Sequence, residues 1–444
     1  MELLGVTDPR TEAQAVHLFE RIVTMGTVTL KKLGGTRAGE IAAQRLLSSR
    51  RMTTEWIVES ASVRTALACA QRRVLAVQDT SEVNFARSAR RRGLGPGGDG
   101  KTLGFFLHPV IAVDVEEKAV LGLVGAQIWT RAAEPVEDRA RRSLEEKESL
   151  RWVEGARMAA GRLTQAAQLI VVGDREADIW DCFARRPVNA ELLIRARHDR
   201  RLAGEGSLFA AARNWPETSR HAIEIAPRKI GEKARRTMVA VRAGMVRIMR
   251  PGKAPASDPV ELELGLVEVR EIDPPTGVEP VLWRLLTSLP VEEPAAAREI
   301  PELYCLRWRI EELFRIVKSD GLKLENSQVQ ESRHLFRLSA LALAAAVRII
   351  QLVDARDGSS RPMTDVLDEQ ALPAVVALGK TLEGATARQQ NPHPEGSLAW
   401  LSWIVARYGG WNCYGKPPGP KTMAHGWRQF SATLAGLLIA QKLP

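Results

Sequence analysis

Two short apolar runs that each stop on an aspartate constrain this chain more than any other feature. RRVLAVQD (72–79) and QLIVVGD (168–174) read as buried strands, with Asp79 and Asp174 at their ends. Between them, FFLHPVIAVDV (105–115) and AVLGLVGAQIW (119–129) read as two more strands joined by a turn at Glu116–Lys118, and EEKESLRWVEGARMAAGRL reads as a helix. READIWDCFARR is helical, and AELLIRARH (190–198) is a fifth strand. The order is three strands, helix, strand, helix, strand. It predicts an antiparallel meander whose first strand is flanked by a parallel fourth, so both acids reach one sheet edge. Sites in open α/β sheets form where strand ends meet such a change of direction, and two acids there suit a two-metal centre.

This is the layout of an α/β, RNase H-like catalytic core, expected over residues 71–363. From about 204 to 290 the helical signal disappears. HAIEIAP, TMVAVRAG, MVRIMRP and ELELGLVEVREI predict short strands between Pro/Gly turns, an all-β insertion with a basic loop at Arg228, Lys229, Lys233, Arg235 and Arg236. Residues 1–70 read as a basic helical region suited to DNA docking, although a solvated helical face has the same pattern. Residues 364–444, with Trp400, Trp403, Trp411 and Trp427, read as a C-terminal helical domain.

The stretch YCLRWRIEELFRIVK, from Tyr304 to Lys318, is expected to be one helix. At 100° per residue Tyr304, Arg307, Glu311 and Lys318 share a stripe roughly 60° wide, with Leu306, Ile310, Leu313, Phe314, Ile316 and Val317 opposite. One carboxylate between a phenol and two cations suits a metal-holding acid beside a phosphate backbone. Taken alone, ordinary i,i+4 pairs on a solvated face fit the same residues.

Charge narrows the partners. Lys plus Arg number 63 against 53 Asp plus Glu, a net +10 with a pI near 9.7, which favours nucleic acid over acidic proteins or membranes. Cys69, Cys182, Cys305 and Cys413 form no CxxC pair, so a zinc site or disulfide framework is not expected and a reducing cytosol is. LSALALAAAVRIIQLV (338–353) is interrupted by Arg348 and reads as a buried helix.

The motifs VQDT at Asp79, GDREADIW at Asp174 and Y-x2-R-x3-E-x6-K at Tyr304, Arg307, Glu311 and Lys318 resemble the DDE transposases of the insertion-sequence-four family. The nearest pattern is the cut-and-paste enzyme of transposon five, and the resemblance covers nearly the whole chain. It implies that Asp79, Asp174 and Glu311 hold two Mg²⁺ ions, with Mn²⁺ able to substitute. The metals would drive attack by water and then by a DNA 3′-hydroxyl on phosphodiesters. It implies that Tyr304, Arg307 and Lys318 position the transposon-end backbone, that Arg195 and Arg197 meet phosphates from one face of the fifth strand, and that Trp283 stacks a flipped base during hairpin formation. It further implies double-stranded DNA partners (transposon ends and target), a homodimer in a synaptic complex paired through the C-terminal domain, and a nucleoid-associated place in a bacterial cytoplasm. The pattern departs at Gln14, where a second arginine is expected four residues after Arg10, and the start is short; both point to weaker end recognition.

GPGGDGKT (95–102) matches the P-loop pattern, but a strand rather than a helix is expected after it, which favours a Gly-rich hairpin loop. His108 reads as structural, Asp178 and Asp181 as supporting or capping acids, and Glu312 and Asp114 as weaker alternatives to Glu311 and Asp79. Two alternatives to an active transposase stay open: a truncated, dimerising inhibitor of transposition, and a structure-specific nuclease on the same core.

Overall fold

In the computed structural model the described residues are 8–85, 91–132, 147–225 and 235–440. Four helices come first: α1 (Pro9–Met25), α2 (Leu30–Gly34), α3 (Arg37–Ser48) and α4 (Thr54–Ala68). Three begin on a side chain that accepts an otherwise unpaired amide, from Asp8 to Arg10 N, Thr36 to Gly39 N and Thr53 to Trp56 N. Ala15, Leu18, Phe19, Ile22 and Val23 give α1 one buried stripe at helical spacing.

The sheet begins with β1 (Arg73–Gln78) and β2 (Ser81–Phe85), then β3 (Gly95–Pro96), β4 (Leu103–Asp114) and β5 (Val120–Trp129). β1 and β2 are two halves of one line broken at Asp79–Thr80. Both pair antiparallel with β4, β1 with its C-terminal half and β2 with its N-terminal half. β5 takes the other edge of β4. After α5 (Leu150–Arg162), β6 (Gln168–Gly173) lies parallel to β1. After α6 (Trp180–Ala184), β7 (Glu191–Arg195) lies parallel to β6. The strand order β5-β4-β1-β6-β7 is the one expected from the sequence, with β2 as an added segment.

These strands are buried on both faces. Leu75, Val77, Ile111, Ile170 and Val172 face one core, while Val74, Ala76, Val110, Leu169 and Val171 face the other. That is why they read as unbroken apolar runs.

Next come α7 (Leu208–Asn214), β8 (Ser219–Ile225), β9 (Arg235–Met249), β10 (Glu261–Glu271) and β11 (Leu282–Thr287). β11 pairs antiparallel with β7, and β10, β9 and β8 follow in order, so the inserted strands extend the same sheet to eleven strands. TMVAVRAG and MVRIMRP are one strand, because Gly244 supplies close approach rather than a turn; a Cβ there would lie 2.9 Å from the Trp215 ring. α7 corrects the expectation of no helix beyond 204. Of the expected basic loop, Arg228, Lys229 and Lys233 lie outside the described residues.

The expected single helix over 304–318 is segmented. α8 (Pro294–Cys305) passes through a 3-10 turn at Leu306–Trp308 into α9 (Arg309–Arg315), and a π turn spans Ile316–Asp320. Tightening and widening of the turns alters the uniform 100° step on which the stripe was drawn. Four helices close the chain: α10 (Ser332–Ala355), α11 (Leu372–Lys380), α12 (Leu398–Tyr408) and α13 (Pro420–Ala440). α10 is the one described helix long and apolar enough to cross a membrane, with mean hydropathy 1.7 in its most apolar window, but 83% of that window is buried by the rest of the protein. It is a core helix. Trp400, Trp403 and Trp427 are buried, and Trp411 packs against the same core.

Candidate active site

Asp79 occupies the break between β1 and β2. Its Oδ1 accepts from the amide of Thr80 (2.7 Å), and its Oδ2 accepts from Arg307 Nη1 (2.8 Å). Asp174 follows β6 and caps a 3-10 turn, Oδ1 accepting from the Glu176 amide (2.8 Å). β1 and β6 run parallel with Val77 beside Val172. Carrying that register two residues further sets position 79 beside position 174, on strands about 4.8 Å apart.

Glu311 arrives from α9, four residues after Arg307, whose Nη2 lies 3.5 Å from Glu311 Oε1. Arg307 thus bridges Asp79 and Glu311. Burial pushes the Asp79 carboxyl up to about 7, and the nearby charges of Asp174 and Glu311 add to that while Arg307 opposes it. Burial also works against the Arg307 charge, but Tyr304, Asp79, Glu311 and Asp174 outweigh it and hold the guanidinium above its ordinary value. Three acids and one cation therefore form one electrostatic unit.

The helix that carries Glu311 is anchored from below. Arg309 donates to the Lys118 carbonyl (2.7 Å) and pairs with Asp354 (3.0 Å), whose other oxygen accepts from Val120 N. Glu312 points to Arg309 (2.9 Å), so it belongs to this anchor and not to the acidic unit.

Tyr304 is buried, its ring edge-on to Trp283 with centroids 5.3 Å apart, and its hydroxyl meets the Arg195 side chain. Lys318 reaches away from Glu311 to the carbonyl of Glu82 on β2 (2.5 Å) and to Glu325 (3.4 Å). Arg195 ends β7, whereas Arg197 lies beyond it and is exposed. Between them Ala196 is buried and its amide still donates to the Arg284 carbonyl of β11 (2.7 Å), and just beyond, the Asp178 carboxylate accepts from the amides of Arg197 and His198. A cleft of about 530 Å³ opens here, lined by Arg175, Arg195, Arg197, Arg284, Phe209 and Glu279 among others.

The competing acids have structural work. Asp178 caps as described, and Asp181 pairs with Arg185 (3.3 Å). Asp114 lies at the opposite end of its strand, accepting from the Glu116 and Glu117 amides and pairing with Arg72. His108 is fully buried between Thr80 and Gln78, and burial holds its pKa well below the ordinary value. In the P-loop-like stretch Gly98 N donates to the Glu82 carboxylate and Asp99 accepts from the Thr102 amide, a closed hairpin loop followed by a strand. The sequence reading missed Thr80, Arg151 and Glu176, which surround the two aspartates.

Among the described residues no three His, Cys, Asp or Glu side chains stand close enough to hold a metal ion as placed. The donor set nevertheless suits a hard divalent cation. It is all carboxylate oxygen, with no thiol or imidazole. The crowding of like charge around Asp79 calls for a cation that Arg307 supplies in part.

Acids at adjoining parallel strand ends, with a third on a helix tied to one of them through Arg307, are the kind of donor set that metal-dependent phosphodiester chemistry uses. Residues 157–348 match the family model of the transposase DDE domain. The match runs from within α5 to within α10 and contains Asp174 and Glu311, whereas Asp79 precedes it. It supports a DDE transposase, a nuclease-type enzyme with DNA as substrate, and implies an RNase H-like core. Such enzymes generally use divalent metals.

Proposed function

We propose that this chain is a cut-and-paste DNA transposase of the insertion-sequence-four family, nearest in pattern to that of transposon five. The observation that carries the reading is the bridge from Asp79 through Arg307 to Glu311, with Asp174 brought alongside by strand register. Asp79, Asp174 and Glu311 would hold two Mg²⁺ ions, which when bound supply Lewis acidity and an activated nucleophile for in-line attack on a phosphodiester.

The chain's own residues do the positioning. Arg307 pairs with Asp79 and Glu311, and its guanidinium would be placed to take a phosphate bidentately beside them. Arg195 and Arg197, which line one cleft, and Lys318, which is held on β2 at the Glu82 carbonyl, would contact the DNA backbone. Tyr304 joins Arg195 to Trp283, so a phosphate held by Arg195 and a base displaced onto Trp283 would be set in one register. Extruding a base costs a few kcal/mol, and aromatic stacking offsets about 1–3 kcal/mol of it. The basic helices of residues 1–70 would dock the transposon end, and residues 364–444 would pair two protomers in a synaptic homodimer in the cytoplasm.

The test is a product assay on end-bearing DNA with Mg²⁺. A transposase yields nicked ends, hairpins and strand-transfer products; a nuclease of the same core stops at hydrolysis, and an inhibitor binds without nicking. Trp283→Ala should depress hairpin formation more than first-strand nicking. Equal loss at both steps counts against stacking.

A further inference from the structure

Each strand-end aspartate accepts a hydrogen bond from a residue that a third residue, Arg151 on α5, also grips. Asp79 Oδ1 takes the amide of Thr80, and Thr80 Oγ1 accepts from Arg151 Nε (2.8 Å). Asp174 Oδ1 takes the amide of Glu176, and Glu176 Oε2 accepts from Arg151 Nη2 (2.6 Å). Nη1 of the same guanidinium donates to the Glu148 carbonyl (2.8 Å), so its planar fork is engaged on all sides.

The grip has a rigid footing. Having accepted from Arg151, the Thr80 hydroxyl donates to His108 Nδ1 (2.9 Å); His108 Nε2–H then donates to Gln78 Oε1 (3.1 Å), and Gln78 Nε2 to the Trp152 carbonyl (3.2 Å). The chain of donors runs one way and leaves no member unmatched, which fixes rotamers more firmly than isolated bonds do. α5 reaches β1 closely enough for this because residue 155 is glycine: a Cβ there would lie 2.1 Å from Gln78 Oε1. The Arg151 side chain is only 11% exposed, so the contact with Glu176 is a partly buried one with consequences for geometry.

We propose that Arg151 is a positioning residue that fixes the separation of Asp79 and Asp174, through Thr80 on one side and Glu176 on the other, and so sets metal capture. The proposal deepens the transposase reading and rests on it. A planar, five-donor guanidinium is required, since lysine offers one point charge and cannot hold both partners in a plane.

The experiment measures Mn²⁺ binding to the free, full-length protein by electron paramagnetic resonance, alongside DNA cleavage as a function of Mg²⁺ concentration. Arg151→Gln and Glu176→Gln should each weaken Mn²⁺ binding and raise the Mg²⁺ requirement by about 10–100-fold, the scale for groups that orient ligands. Arg151→Lys should recover part of the loss, and the double variant should be little worse than either single one. Urea midpoints identify any variant whose defect is in folding; if Arg151→Gln does not fold, Arg151→Lys and Glu176→Gln carry the test. Folded variants with wild-type Mn²⁺ affinity and Mg²⁺ requirement overturn the proposal alone. A wild-type protein that neither cuts DNA nor binds Mn²⁺ overturns the functional reading and the proposal together.

Discussion

Glu271 and Asp79 show how position decides what a carboxylate does. Both are largely buried, yet Glu271 is matched by Arg235, Thr237 Oγ1 and the Val281 amide, which draw it down to about 2, the Arg235 hydrogen bond most of all. Asp79 sits among like charges with burial dominant and rises to about 7. A depressed carboxylate stabilises the fold above its unfolded value of about 4.5 and loses that contribution as pH falls toward about 2. Glu271→Gln should therefore melt lower than wild type near neutral pH, with the gap closing between pH 4.5 and 2. A gap independent of pH in thermal melts over that window would mean the Arg235 pair contributes nothing.

At the level of single elements, burial on both faces makes the strand pattern continuous and legible, whereas local exceptions that serve packing hide it. β1, β4, β5, β6 and β7 were legible because helices cover both sides of the sheet. β2 was missed because SEVNF resumes directly after the acid with polar residues interleaved, so it resembles the start of a loop. β9 was split at Gly244 because a glycine between alternating residues normally signals a turn; its purpose is room for Trp215. Gly426 is another close-approach glycine. A Cβ there would lie 1.8 Å from the Val405 carbonyl oxygen, so α12 and α13 meet nearly backbone to backbone. Gly426→Ala should destabilise the protein by about 1–3 kcal/mol in urea unfolding, the usual cost of overpacking. An unchanged midpoint would mean the two helices part freely.

Over the whole molecule, the proposed site draws on positions 79, 174 and 311, so contact information had to come from topology. Sequence order and strand ends pointed to Asp79 and Asp174 at one end of adjoining strands, and the helical stripe pointed to Glu311 and Arg307. Nothing local could foretell that Arg307 would bridge Asp79 to Glu311, or that Arg151 would reach 71 residues back and 25 forward. On the proposed function, the net +10 charge and the arginine-lined cleft would meet backbone phosphates. Arg197→Ala should thus weaken DNA binding evenly across sequences and lower the slope of log affinity against log salt by about 1. An unaltered slope in salt-series binding isotherms would remove Arg197 from the interface. Whether three distant acids act as one site is decided by Mg²⁺-dependent nicking of end-bearing DNA by Glu311→Gln beside wild type, with binding followed in parallel. Nicking should be abolished while DNA binding is kept; a Glu311→Gln protein that binds and still nicks would mean that Glu311 does not act with Asp79 and Asp174.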